Sequence, residues 1–292
     1  MKKIVYFIFA MLGGFMMTSC SEEELDSNSI FSTEPPQRNE FDMWLLENYV
    51  YPYNVDFKYR MEDKESDHDY NLVPAEYDKS VAMAKLVKHL WMDTYVELMG
   101  GDRTFLCTYG PKMIHLIGTP AYDEGQITMG VAEGGLKVTL YNVNYLNLNG
   151  PLDVEELNYW YFHTMHHEFT HILHQTVEFP TEFNDVSSGK YTGAGWVNIT
   201  DDEAVKRGFI TGYGSTEVHE DFAEIVSNYI THTQEWWDGR MNVAGTEGAT
   251  TITRKLNIAK TYMMETWNID LDLLRSIVLR RSSEVADLDL TI

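Results

Sequence analysis

VEELNYWYFHTMHHEFTHILHQT, residues 154–176, contains neither glycine nor proline. Asp153 before it and Glu156 within it form a capping-box-like start. Phe162, Met165, Phe169 and Ile172 recur at spacings of three and four, a stripe that a helix gathers on one side. Away from that stripe stand His167 and His171, the ends of a His-Glu-x-x-His motif whose second residue is Glu168. At about 100° per residue the two histidines lie within about 40° of each other. Two imidazoles one turn apart can chelate one tetrahedral zinc, and Glu168, on the rim, can reach a water that the metal activates. The competing reading is a histidine-rich surface helix without metal. Of the neighbouring His163, His166 and His174, His163 and His174 lie on the same stripe as the ligands and read as groups that support the ligands, as substrate contacts or, foremost, as polar surface.

A catalytic zinc needs a third protein ligand and an open position. A metzincin-type extension would place glycine at 174 and histidine or aspartate at 177; the chain has His174 and Val177, so that subclass is rejected. A later segment, Thr216 to Thr231, has no helix breaker, and Ser215 precedes it as the expected N-cap. Val218, Phe222, Ile225, Val226 and Tyr229 form its apolar stripe, with Glu220 and Glu224 one turn apart on the other side. Acids so placed ordinarily just face water. Because the first helix lacks a carboxylate partner, Glu220 is read as the third zinc ligand and Glu224 as the acceptor that orients a ligating imidazole.

Outward from these two helices the pattern is mixed. Phe41, Trp44, Leu45 and Tyr49 suggest a short helix, and Pro74 to Met99 a long one stopped by Gly100-Gly101. Strand-like segments follow at Thr104–Tyr109, Met113–Ile117, Gln126–Val131 and Leu136–Val143. Residues 177–214 look loop-rich, and further helices are expected near 248–266 and 270–285. The expected class is α+β, with a small mixed sheet packed on the motif helix and further helices in one domain over 39–292.

The N-terminus sets the compartment. Lys2 and Lys3 precede an apolar stretch, Ile4 to Met17, too short to span a bilayer, and then Thr18-Ser19-Cys20. This resembles a bacterial lipobox: residues 1–19 would be the signal peptide, Cys20 the acylated residue and 20–38 a tether. Ser21-Glu22-Glu23-Glu24 looks like the surface-export signal of Bacteroidota lipoproteins, or is simply a solvated linker. A net charge of −23 argues against nucleic acid as a partner. With Cys20 lipidated, the second of two cysteines, Cys107, has no disulfide partner and is expected to be a buried, inert thiol.

The run Tyr213-Gly214-Ser215-Thr216-Glu217-Val218-His219-Glu220-Asp221-Phe222-Ala223-Glu224 resembles the second zinc helix of anthrax lethal factor and its gluzincin relatives. In those, a glutamate ligand is followed by Phe-Ala-Glu, and a tyrosine seven residues before it faces the metal. That likeness covers the motif helix and about 213–226. Over most of the mature chain the sequence resembles the zinc-binding metallopeptidase lipoproteins of Bacteroidota, which accompany outer-membrane nutrient-import systems. The resemblance implies a zincin-like fold and one zinc per chain, held by His167, His171 and Glu220. It implies Glu168 as general base and Tyr213 as a catalytic hydroxyl, although Tyr213 can also be a loop aromatic packed on the core. A peptide or protein substrate, an outer-membrane lipid anchor facing the cell surface and an import complex as partner follow in the same way. Leu136–Val143, alternating just upstream of the motif helix, is read as an edge strand that pairs with substrate, with an interior strand as the competing reading. A hydrolase of non-peptide amides and a non-catalytic accessory lipoprotein are the alternatives; an intact Glu168 argues against the latter.

Overall fold

Asn39 accepts from the Asp42 backbone N–H at 2.7 Å, and the Asp42 carboxylate accepts in return from Asn39, so the first helix begins on a reciprocal cap. The computed structural model describes residues 37–292 other than 124, 125, 129, 134 and 135. The expected signal peptide over 1–19, Cys20 and most of the expected tether therefore lie outside the described residues. Asn39–Ile292 pack as one unit. Helix α1, Glu40–Leu45, runs on through a π-turn at Leu46–Val50 to Tyr53, and buries Phe41, Leu45 and Tyr49. Strand β1, Asp56–Lys58, follows. The long helix expected after Pro74 is present as α2, Tyr77–Val87, and α3, Asp93–Leu98, joined by a π-turn at Lys88–Met92.

Thr104–Tyr109 departs from expectation: it is a helix, α4, not a strand. Its β-prone residues are overridden locally, because Asp102 accepts from both the backbone N–H and the hydroxyl of Thr104 and starts a helical turn. That turn puts Phe105 and Tyr109 together against Trp267, with centroids at 6.4 and 5.0 Å. It also leaves Cys107 on the outer side of α4, where the thiol is exposed rather than buried.

Strands β2, Met113–Leu116, β3, Ala121–Asp123, β4, Gln126–Thr128, β5, Gly130–Glu133, and β6, Lys137–Leu140, complete the β content among the described residues. The sheet order is β1-β2-β6-β5, with β1, β2 and β6 parallel and β5 antiparallel at the edge; β3 and β4 form a separate hairpin. The single strand expected over Gln126–Val131 is thus two strands with different partners. Leu136–Val143 is not an edge strand either. Its β6 portion is flanked on both sides, as its burial of Val138, Thr139 and Leu140 requires. The edge next to the motif helix belongs to β5.

The helical half begins with α5, Val154–Leu157, where Asp153 accepts from the Glu155 N–H without the full box. A π-turn at Asn158–Phe162 leads into α6, His163–Thr176. Then come α7, Thr181–Val186, α8, Asp201–Lys206, and α9, Val218–Thr231. Glu217, not Ser215, is the N-cap residue of α9. The Ser215 hydroxyl is turned back to the Gly212 carbonyl at 2.7 Å. Helix α10, Gln234–Trp267, is two helices joined across a kink at Gly245, whose φ of +67° favours glycine; Thr233 caps the first, and the second is the helix expected near 248–266. Helix α11, Leu271–Ser283, ends the fold. Helices α6 and α9 pack together, and α10 and α11 back α9.

Candidate metal centre

Helix α6 can present histidines inward only because its other side is firmly seated. Phe169 lies 4.9, 5.2 and 5.9 Å from the rings of Tyr95, Trp91 and Phe105, all edge-on. This apolar packing fixes the rotation of α6 and aims His167 and His171 at α9. His167 Nε2 and His171 Nε2 are 3.0 Å apart. Glu220 Oε2 lies 3.0 Å from the first and 3.2 Å from the second. The three donors converge on one point from two helices.

Glu224, one turn along α9, does something different. Its Oε1 sits 2.9 Å from His167 Nδ1 and 3.2 Å from His163 Nε2. Its Oε2 accepts from Thr211 Oγ1 at 2.6 Å and Asn228 Nδ2 at 3.2 Å. A carboxylate held by four donors has no freedom left, and its bond to Nδ1 turns Nε2 of His167 toward the convergence point. Burial opposes the charge on His167, yet the bonds to Glu220 and Glu224 outweigh it and raise its pKa to about 10. Burial likewise opposes charge on Glu220 and Glu224, and the facing histidines still hold both well below the ordinary carboxylate range. A protonated His167 offsets only part of the negative charge that Glu220 and Glu224 bring to the site.

That residual negative charge, and the donor set, fit zinc. Tetrahedral zinc at about 2.0–2.2 Å from each ligand separates its donors by about 3.4 Å; the present spacings of 3.0–3.2 Å need to open by only a few tenths. His167, His171 and Glu220 would hold the ion, and a proton would leave His167.

Tyr213 stands on a short turn, Tyr213–Ser215, made possible at Gly212, where a Cβ would fall 2.5 Å from the Ile199 carbonyl oxygen. Its ring is 5.9 Å from that of His167 and 5.1 Å from Trp196. It is 38 % exposed. Burial, then the Glu220, Glu224 and Glu168 carboxylates, push its phenol up, so it stays a neutral donor beside the site. Glu168 is half-buried on the same face.

The neighbouring histidines are not polar surface. His166 is fully buried, with Nδ1 3.0 Å from the Tyr95 hydroxyl, and burial lowers its pKa to about 3. His174 is buried too, its Nε2 2.8 Å from His171 Nδ1. His163 joins Ser227 and Asn228 in framing Glu224. Sequence reasoning also missed an anchor beside Glu220. Asp221 and Lys255, both fully buried, pair at 2.5 Å; Tyr191 donates to the same Asp221 carboxylate, and Lys255 donates to the Gly208 carbonyl. Asp221 and Lys255 left no signal in the sequence, whereas His163 and Asn228, which frame Glu224, stand four residues from His167 and Glu224.

Residues 34–272 match a family model described as "Putative zinc-binding metallo-peptidase". A crystal structure of a putative zinc-binding metallo-peptidase from Bacteroides caccae superposes with a TM-score of 0.77 at 46 % identity, covering 90 % of this chain and 99 % of that one. Comparison with curated proteins gives no match.

Proposed function

This chain belongs to the putative zinc-binding metallo-peptidase family, and from that premise we propose that it hydrolyses peptide bonds at a zinc held by His167, His171 and Glu220. The observation that carries the reading is the convergence of those three donors with a second carboxylate, Glu224, fixed behind His167. When bound, zinc supplies a Lewis acid that acidifies a water and polarises a carbonyl at the open position. Glu168 takes a proton from that water as its oxygen bonds to the carbonyl carbon, and hands the proton to the amine nitrogen as the C–N bond breaks. The neutral Tyr213 hydroxyl donates a hydrogen bond to the oxyanion formed in between. Glu224 keeps His167 in the tautomer whose Nε2 faces the metal. The edge of β5 that pairs with no strand among the described residues, near α6, is the backbone on which an extended substrate would pair.

Cleavage of a peptide library by the wild type and Glu168→Gln, with zinc content measured on both, tests the assignment. Glu168→Gln should keep its zinc and lose about 10²–10⁴-fold in turnover, the usual contribution of a positioned general base. Undiminished cleavage by the variant would remove Glu168 from the chemistry.

A further inference from the structure

On the far side of His174 lies a second set of donors. His174, Glu178 and His219 each bring one donor atom within 4.8 Å of the other two. His174 is 3 % exposed, and its Nδ1 has no hydrogen-bond partner among the described residues. A buried ring nitrogen left in this way calls for a ligand. His219 and Glu178 are 41 % and 59 % exposed in their side chains, with Nε2 and Oε1 3.6 Å apart. Glu217 adds a carboxylate oxygen 3.7 Å from His219 Nδ1.

We propose that His174, Glu178 and His219 form a second, weaker site for a divalent transition cation such as zinc. Two imidazoles and a carboxylate suit zinc and its neighbours; calcium and magnesium call for oxygen ligands alone. Two features make this site the weaker. The His174 and His219 rings are stacked, 16° apart in plane with centroids at 5.1 Å, so His219 must turn before both lone pairs meet one ion. The second is the bond between His171 Nδ1 and His174 Nε2. Each neutral imidazole carries one N–H. With the other nitrogen of each ring on a metal, two N–H groups would face each other across that bond, so filling either site disfavours filling the other.

Zinc titration of the metal-free protein by calorimetry, with bound metal counted after equilibrium dialysis, tests this. The wild type should take up two equivalents, the second at least about 10-fold more weakly. His219→Ala and Glu178→Ala alter exposed side chains; each should weaken the second step at least 10-fold and keep the first. Glu220→Ala should weaken the tight step and keep the other, so failure of the catalytic assignment is seen separately. A single equivalent in the wild type, or a second step unchanged in both His219→Ala and Glu178→Ala, overturns the proposal.

Discussion

Helix α6 buries two flanks of opposite character. On one, Phe169 sinks into an aromatic cluster with Trp91 and Tyr95, and Met165 is buried in the core. On the other, His163, His167, His171 and His174 meet the carboxylates of α9 and one another. Apolar burial has no direction and depends on volume, so it accepts any side chain of similar size and shape. A buried polar flank depends on each donor meeting its acceptor, so even an isosteric change is felt. The first flank sets where α6 lies; the second sets what it can hold.

Substitutions can break that contrast. Phe169→Ala removes a side chain that is 1 % exposed, and it should cost about 3–5 kcal/mol in urea or thermal unfolding, while Phe169→Leu should cost much less. Equal losses from the two would mean that the apolar flank is as exacting as the polar one. Glu224→Gln changes almost no volume, yet it loses a charged acceptor shared by four donors and should cost about 1.5–3 kcal/mol in the metal-free protein. A loss near zero would place Glu224 with the tolerant positions.

A smaller effect, in pH, sharpens the same comparison. His167 is raised in the metal-free fold from 6.5 to about 10, so its contribution is complete below about pH 6.5 and fades as pH rises through about 10. Glu220 and Glu224 are lowered from 4.5, so theirs is complete above that value and fades as pH falls. The stability gap between wild type and Glu224→Gln, both without metal, should therefore be widest between about pH 4.5 and 6.5. The gap between wild type and Phe169→Ala should be nearly flat over the same range. Thermal unfolding across pH would show it.

The contrast also explains what could be read from the sequence. The 3.6-residue period of Phe162, Met165, Phe169 and Ile172 revealed α6 because apolar burial leaves a periodic trace. His167, Glu168 and His171 stood out because chelation needs a fixed spacing on that helix. Thr211 and the Asp221–Lys255 pair left no such trace, since each works through a partner distant in the chain. His174 and His163 were misjudged for the same reason: whether a histidine is exposed depends on what a remote helix places over it. Thr104–Tyr109 was misread because strand propensity yielded to one Asp102 turn and to packing on Trp267. The edge position of β5 was equally hidden, because sheet order is a non-local property.

The central claim concerns two glutamates one turn apart on α9. Glu220 is assigned to the metal itself, and Glu224 only to the imidazole behind it. Loss of an orienting carboxylate typically costs about 10–100-fold in metal affinity, and loss of a ligand costs more. Competition for zinc between a chelator and each variant measures the difference directly. The account predicts that Glu220→Ala loses more affinity than Glu224→Ala. It is contradicted if Glu224→Ala releases zinc while Glu220→Ala retains it.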